Sequence, residues 1–252
     1  MIDIHSHLLP GVDDGSPSVE ASVPVLERFG QHGVDVLVCT PHLRASDAPR
    51  VPADVYADIF TTLVEAAPPK PALKLGWEIM LDLPGVDLRP GHLHLGGSTA
   101  ALVEFPRMHV PPGAERELLR IRMSGVVPVL AHPERYHRCT VERVDEWRSV
   151  GAVIQVDAAM LFGNAPMCRL ARSLLEEGLA DCIASDNHGD SRSLNAAREW
   201  LVEIGAEEQA QLLTHTNAER LLANQPLISV PPTPRVEPGM LGRLRELFFG
   251  SR

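Results

Sequence analysis

The chain has 252 residues, a hydrophobic fraction of 44% and a formal net charge of -10 at pH 7. This length suits one α/β domain with a substantial core, and the acidic balance disfavours non-specific binding to nucleic acid or anionic membranes. The sequence has no apolar run of about eighteen residues and no basic leader before an apolar stretch, so neither a membrane span nor a signal peptide is predicted. Four scattered cysteines indicate reduced thiols, which favours a cytoplasmic location.

The first predicted element is a short strand that contains Ile2 and Ile4 and ends in His5-Ser6-His7. Residues two apart on an extended backbone point to the same side, so both imidazoles can reach one point beyond the strand. Two neutral imidazoles at this spacing suit a transition metal. A glycine-rich turn with Asp13-Asp14 follows.

The later strands repeat this arrangement of an apolar strand followed by a metal-competent side chain. The predicted strands and their followers are 36–41 with His42, 72–77 with Glu78, 100–103 with Glu104, 126–131 with His132, and 180–185 with Asp186 and His188. A single such residue is more often a helix cap or turn residue. Agreement at six strand ends indicates a shared site.

Helical patterns alternate with these strands. They cover residues 18–32, 52–67, 113–123, 140–150, 165–177, 191–204 and 207–214. A repeated β-α order predicts a parallel sheet, and ligands at the carboxyl ends of the strands suit a closed barrel. We assign 1–223 to one barrel domain. The tail 224–252 holds a proline-rich connector and an amphipathic segment, 240–249, expected to pack on the barrel or on a neighbouring subunit.

The candidate ligands comprise five histidines and four carboxylates, which exceed what one metal ion needs. Two or three divalent ions that share a bridging carboxylate fit this number. Mixed imidazole and carboxylate ligands favour Mn, Fe or Zn. Clustered dications lower the pKa of a bridging water and clamp phosphate oxygens, so phosphate ester hydrolysis is the predicted reaction class.

These residues resemble the PHP (polymerase and histidinol phosphatase) superfamily, and most closely its bacterial capsule and exopolysaccharide tyrosine-protein phosphatases. The motifs that carry the resemblance are MIDIHSH with VDDG, TPH at 40–42, GWE at 76–78, LVEFP at 102–106, AHPERY at 131–136 and ASDNH at 184–188. The resemblance implies an α/β fold with a distorted seven-stranded (β/α) barrel and a trinuclear site, with Mn as the first choice of metal. It also implies a phosphotyrosine protein substrate, such as the tyrosine-rich tail of a polysaccharide-biosynthesis kinase.

The resemblance also implies a role for each candidate. The first ion would take His5, His7, Glu78 and Asp186; the second Glu78, Glu104 and His132; the third Asp14, His42 and His188. Glu78 would bridge two ions, and Arg135 would bind the phosphate, with Arg44 and then Arg107 as further candidates. Asp13 could cap its turn instead of binding metal.

Other functions remain open or are disfavoured. A small-molecule phosphatase such as histidinol phosphatase is the first alternative, although those relatives often place histidines where this chain has Asp14 and Glu104. A non-catalytic metal-dependent regulatory protein is the second, and the full ligand set argues against it. An amidohydrolase is disfavoured because this chain has no lysine in a suitable position to bridge two metal ions. A PHP exonuclease is disfavoured by the acidic net charge. A cysteine-based phosphatase is disfavoured because the spacing between the cysteines and the arginines does not fit its phosphate-binding loop. The oligomeric state stays open, a homo-oligomer included.

Overall fold

The computed structural model describes residues 1–106 and 110–235. The candidate Arg107 and the amphipathic segment 240–249 therefore lie outside the described residues. The described chain is a mixed α/β fold, and every pair of named strands within it is parallel. Along this part of the chain, no helix has the length and apolar character needed to cross a membrane.

The strands form two parallel sheets. Their bounds are β1 Ile2–Ser6, β2 Val36–Cys39, β3 His42–Arg44, β4 Ala72–Leu75, β5 Glu78–Met80, β6 Ala100–Glu104, β7 Val127–Ala131, β8 Val153–Asp157 and β9 Cys182–Ala184. One sheet has the order β1-β2-β4, and the other has the order β3-β5-β6-β7-β8-β9. The strands from β5 to β9 are neighbours in chain order, as the β-α pattern predicts, whereas β2 pairs with β4 and β3 pairs with β5.

Two predicted strands are each interrupted at the point where the chain passes from one sheet to the other. The breaks fall at Thr40-Pro41, between β2 and β3, and at Gly76-Trp77, between β4 and β5. Pro41 has no N–H to donate to a ladder, which explains the first break. Hydrogen bonding nevertheless continues, since Gly76 N–H donates to Cys39 O at 2.9 Å and Glu78 N–H to Pro41 O at 3.1 Å.

The first and last strands lie side by side. Ser6 forms a parallel bridge with Asn187, just beyond β9. His7 N–H donates to Asn187 O at 2.7 Å, and Asp186 N–H donates to His5 O at 3.0 Å. These bonds bring the His5-Ser6-His7 motif, at the start of the chain, against Asp186.

The helices follow the strands as predicted. Their bounds are α1 Val19–Gln31, α2 Ala53–Ala66, α3 Ala114–Met123, α4 Val141–Ser149, α5 Pro166–Glu176, α6 Leu194–Glu203, α7 Glu207–Gln211 and α8 Asn217–Leu222. Ser18 caps α1 by accepting from Ala21 N–H, as its position before the apolar pattern suggests. The π-helical turn Leu212–Thr216 and α8 were not predicted.

The apolar core lies on both faces of the strands. The larger cluster packs helices on the sheets and includes the buried rings of Phe29, Trp147 and Trp200. The smaller cluster includes Leu102 of β6 together with residues of α8. Side chains two apart on a strand share a face. Glu104 therefore emerges from the same face as Leu102, just past the apolar layer.

Candidate metal centre

The carboxyl ends of the strands bring together side chains that can hold metal ions. Four overlapping groups occur among the described residues, and within each group the ligand atoms lie within 4.8 Å of one another. The groups are His5, Glu78 and His132; His5, His7 and Asp186; His42, Glu78 and Glu104; and His7, Asp14, His42 and His188. All nine residues named from the sequence are in these groups.

Glu78 lies at the middle of the cluster and is completely buried. Its Oε2 lies 2.9 Å from His42 Nδ1, 3.3 Å from His7 Nε2 and 3.4 Å from His5 Nε2. Its other oxygen, Oε1, lies 2.7 Å from His132 Nε2. Oε2 has no hydrogen bond of acceptable geometry, although three ring nitrogens surround it. A carboxylate in this position can bind an ion through each of its oxygens.

Asp186, like Glu78, has one carboxylate oxygen that lies close to several histidine ring nitrogens. Its Oδ1 lies 3.3 Å from both His5 Nε2 and His7 Nε2 and 3.6 Å from His188 Nδ1, and it too makes no acceptable hydrogen bond. The two imidazoles face each other, with 3.2 Å between Nε2 of His5 and Nε2 of His7. Nitrogen and oxygen donors that converge without satisfying one another fit divalent cations between them.

The third group opens toward solvent. Asp14 Oδ1 lies 3.2 Å from His42 Nε2 and 3.6 Å from His188 Nε2. The Asp14 side chain is 72% exposed, whereas the side chains of His5 and Glu78 are fully buried. A substrate can therefore reach the cluster from the side of Asp14.

Two buried contacts orient the histidines of β1. His5 Nδ1 lies 3.0 Å from Gln155 Oε1, and His7 Nδ1 lies 2.8 Å from Asp13 Oδ2. Each acceptor keeps the proton on Nδ1 and leaves Nε2 directed at the cluster, which is the usual outer support of a metal-binding histidine. Asp13 also caps its turn by accepting from Gly15 N–H at 3.0 Å. Gln155 was missed, because a glutamine inside a strand carries no signal for this role.

Two site residues adopt a left-handed backbone conformation. The φ angle is 33° at His132 and 47° at Asp186. Such values are uncommon outside glycine and often mark functional positions. Each residue directly follows or lies just beyond a strand, so the turn of the backbone redirects its side chain toward the other ligands.

Burial and neighbouring charges set the protonation of the site. Burial lowers the pKa of His132 to about 4, so this imidazole is neutral at pH 7, as a metal ligand must be. Burial alone would raise the pKa of Glu78, but the adjacent histidines outweigh it and hold the pKa well below its usual value. In contrast, burial raises the pKa of the Cys39 thiol to about 12, which argues against thiolate chemistry there.

Two arginines flank the cluster at Asp186. Arg135 Nη1 lies 2.7 Å from Asp186 Oδ2, and Arg192 Nη1 lies 3.2 Å from the same oxygen. Arg135 is also paired through Nη2 with Asp157, the last residue of β8. Asp157 and Arg192 were missed. The signal for Asp157 was present, because it is a carboxylate at the carboxyl end of an apolar strand.

Arg44 lies away from this pair, at the end of β3. It is exposed and lines a cavity of about 570 Å³ together with His42 and Glu104. Arg44 therefore lies beside the cluster, on the side of this cavity.

Comparisons with known proteins confirm the family resemblance. The family described as capsular polysaccharide synthesis, CpsB/CapC, matches residues 1–223. The tyrosine-protein phosphatase YwqE of Bacillus subtilis is 30% identical over 248 residues, which cover 93% of this chain and 96% of that protein. CpsB of Streptococcus agalactiae, also named a tyrosine-protein phosphatase, is 30% identical over 89% of this chain and 99% of its own length.

A solved structure matches as well. It comes from the work on YwqE of Bacillus subtilis and CpsB of Streptococcus pneumoniae, described as unique metal-dependent tyrosine phosphatases. The TM-score is 0.75 at 28% identity, and the match covers 94% of this chain and all of the other.

Proposed function

The chain belongs to the CpsB/CapC family of capsular polysaccharide synthesis, and on that premise we propose that it is a metal-dependent phosphatase that hydrolyses phosphotyrosine in proteins. The observation that carries the proposal is the convergence of five imidazoles and four carboxylates at the carboxyl ends of the strands. Clustered divalent ions are suited to phosphate ester hydrolysis because they can contact both the attacking and the leaving oxygen.

The proposed centre holds two to three divalent ions, with Mn as the first choice and Fe or Zn as alternatives. The sets are those that the family resemblance implies: His5, His7, Glu78 and Asp186; Glu78, Glu104 and His132; and Asp14, His42 and His188. The first set contains the group His5, His7 and Asp186, and the third lies within the group that also includes His7. The second set is supported by pairs of distances, since His132 Nε2 lies 2.7 Å from Glu78 Oε1 and 4.0 Å from Glu104 Oε2. When bound, such ions polarise the phosphoryl group and lower the pKa of water.

The protein's own contribution to phosphate binding is the set of arginines. Arg135 and Arg192 are proposed to grip the phosphate, since both guanidiniums already lie on one oxygen of Asp186 at the edge of the cluster. A guanidinium can bind two phosphate oxygens in a fork. Asp157 pairs with Nη2 of Arg135, while Nη1 lies on Asp186, so two carboxylates hold the guanidinium in place. Arg44 is a further candidate from the cavity side.

We also propose that the two sheets form one distorted seven-stranded barrel. The hydrogen bonds across both strand breaks and the Ser6–Asn187 bridge support this closure. The barrel domain is assigned to 1–223 and the tail to 224–252. We propose that the protein acts in the cytoplasm on a tyrosine-rich tail of a polysaccharide-biosynthesis kinase.

The test is the relative turnover of three substrates by the metal-reconstituted protein. These are a phosphotyrosine peptide, the matching phosphoserine peptide and histidinol phosphate. We expect the phosphotyrosine peptide to have the highest kcat/KM. A preference for histidinol phosphate would replace the proposal by a small-molecule phosphatase, and absence of turnover with a fully loaded centre would indicate a regulatory protein.

A further inference from the structure

The cavity of about 570 Å³ opens directly beside the metal centre. Two of its lining residues, His42 and Glu104, belong to the ligand groups described above. Its size lies within the usual range of ligand pockets, about 300–1,000 Å³. A phosphate on the ions would therefore have the rest of its molecule in or beside this cavity.

The apolar part of the cavity lining suits an aromatic ring. Pro52, Tyr56 and Met80 are among the residues that supply this surface. The Tyr56 ring packs on Trp77 with 4.5 Å between centroids, and Trp77 is itself buried and donates from Nε1 to His92 O at 2.8 Å. Tyr56 is thus held by its contact with a buried residue and lines the cavity, where a phenyl ring can make favourable offset or edge contacts with it.

The remaining charge in the cavity favours an anion. Among the residues that the structure describes, the charged ones lining the cavity are Arg44, Asp47, Arg50 and Glu104, and Glu104 belongs to the metal groups. Within this described lining, two cations therefore face one carboxylate outside the centre, in a chain with a net charge of -10. Neither guanidinium has a hydrogen bond or ion pair within the described ranges, so both can contact a ligand.

The segment that carries Arg50 is anchored. Arg50 ends the 3-10 helix Ala45–Arg50, in which Ala45 and Ala48 are buried. Ser46 is bound to Asp82 through both its N–H, at 3.0 Å, and its hydroxyl, at 2.7 Å. Burial of Ala45 and Ala48 and the hydrogen bonds of Ser46 therefore hold the Arg50 backbone in position at the cavity.

We propose that this cavity binds the part of the substrate that adjoins the phosphate. The phenyl ring of phosphotyrosine packs against Tyr56, and Arg50 binds an anionic side chain adjacent to the phosphotyrosine. This inference rests on the proposed function. It makes Arg50 a specificity-determining residue that contacts the substrate outside the metal centre. The anion can be a carboxylate or a second phosphate, because both accept hydrogen bonds from a guanidinium.

Binding of non-hydrolysable peptides tests the proposal without relying on turnover. The peptides carry phosphonomethyl-phenylalanine in place of phosphotyrosine, with Asp, phosphoserine or Asn as the neighbouring residue. Their Kd values are measured with metal-reconstituted parent, Arg50→Gln, Arg50→Lys and Arg122→Gln proteins. Arg122 is the matched control, since it is an exposed arginine beside Thr99 and Val127 at the opposite ends of the strands.

We expect the parent to bind at least one of the anionic peptides about fivefold more tightly than the Asn peptide, which is near the upper end for an exposed ion pair. Arg50→Gln should remove this preference, Arg50→Lys should retain part of it, and Arg122→Gln should leave it unchanged. The preference should also weaken as salt is added. The Asp and phosphoserine arms distinguish which anion is preferred.

Equal Kd values for all three peptides in the parent would overturn the proposal, as would a preference that survives in Arg50→Gln. Hydrolysis of the matching phosphotyrosine peptides is measured separately. Failure of hydrolysis would contradict the proposed function, whereas the ratio of Kd values alone decides the role of Arg50.

Discussion

Glu78 is the residue on which we expect the proposed centre to depend most. Its buried carboxylate lies within 3.4 Å of a ring nitrogen in each of four histidines. If its negative charge is removed, solvent cannot reach the position to compensate for it. We expect Glu78→Gln to lower kcat about a thousandfold or more, a loss of roughly 4 kcal/mol in transition-state stabilisation. Circular dichroism should be unchanged, because the helices and core lie away from the site.

The control for this substitution is Glu142→Gln, which changes a carboxylate on the first turn of α4 without touching the centre. Metal content is measured in both variants. A Glu78→Gln protein with near-normal kcat and a full complement of ions would show that the bridging carboxylate has been placed on the wrong residue.

Substitutions at Arg135 test whether its guanidinium binds the phosphate. Its side chain is 12% exposed and already paired with two carboxylates, so its guanidinium is held in one orientation. We expect Arg135→Lys to lower kcat/KM about tenfold, because an ammonium cannot form the fork, and Arg135→Ala about a hundredfold. Both variants should keep their metal ions and be inhibited less by inorganic phosphate. If Arg135→Ala equalled the parent, the grip would be reassigned to Arg192 and then to Arg44.

Asp157 tests whether Arg135 must be positioned. The carboxylate is fully buried, pairs with Arg135 and also accepts from Ala159 N–H at 2.8 Å. Asp157→Asn keeps the shape but removes the charge, so we expect Arg135 to be held less firmly and kcat/KM to fall about tenfold. The change should also weaken inhibition by inorganic phosphate, which a purely structural role would leave unaltered. Unchanged phosphate inhibition at normal metal content would contradict the positioning role.

The strands explain how much of this site the sequence could predict. An apolar strand followed by a histidine or carboxylate is visible in a single sequence, so His5, Glu104 and Asp186 could be named together. Pro41 is a sequence signal for the first strand break, whereas the break at Gly76-Trp77 could not be predicted, because it depends on how the chain passes from one sheet to the other. His42 and Glu78 consequently start new strand segments instead of lying in loops.

Residues that act through others were the ones missed. Arg192 reaches Asp186 from a loop that is held by its own hydrogen bonds to Asp190, and no periodic pattern marks such a loop. Gln155 supports His5 from a neighbouring position in the fold but 150 residues away in sequence. Contacts of this kind follow from the closure of the fold and have no local signal.

The turn after β1 sets the position of both of its aspartates, and Gly15 is the tightest point of that turn. A Cβ at Gly15 would lie 2.1 Å from His7 O and 2.4 Å from His7 Cβ, so an alanine forces the turn away from β1. We expect Gly15→Ala to destabilise the protein by about 1–3 kcal/mol and to reduce metal content through displacement of Asp13 and Asp14. Thermal unfolding and elemental analysis check this.

Gly91→Ala is the matched control, because an added Cβ there meets nothing within 4 Å and its backbone needs no left-handed conformation. It should match the parent in both measurements. Equal melting temperatures and metal contents for the two alanine variants would show that the turn tolerates a shift and does not fix the site.

The molecule as a whole is acidic, and part of its negative charge is gathered in the metal-ligand groups. The chain carries a net charge of -10, and four of its carboxylates share the centre with five histidines. Divalent ions in the proposed centre would compensate this charge and favour the folded state by mass action, with about 2.7 kcal/mol gained at a ligand concentration of one hundred times Kd. Metal binding should therefore contribute to stability as well as to catalysis.

Removal of the ions tests both contributions at once. We expect a chelator to abolish turnover of phosphotyrosine peptide and to lower Tm by about 5–10 °C, and added Mn to restore both. Alkylation of thiols in the loaded protein should leave turnover intact, because burial raises the pKa of Cys39 and of Cys139 to about 12. Elemental analysis before chelation should give two to three ions per chain. Full activity in metal-free protein, or its loss on alkylation without any loss of folded structure, would contradict a metal-based mechanism.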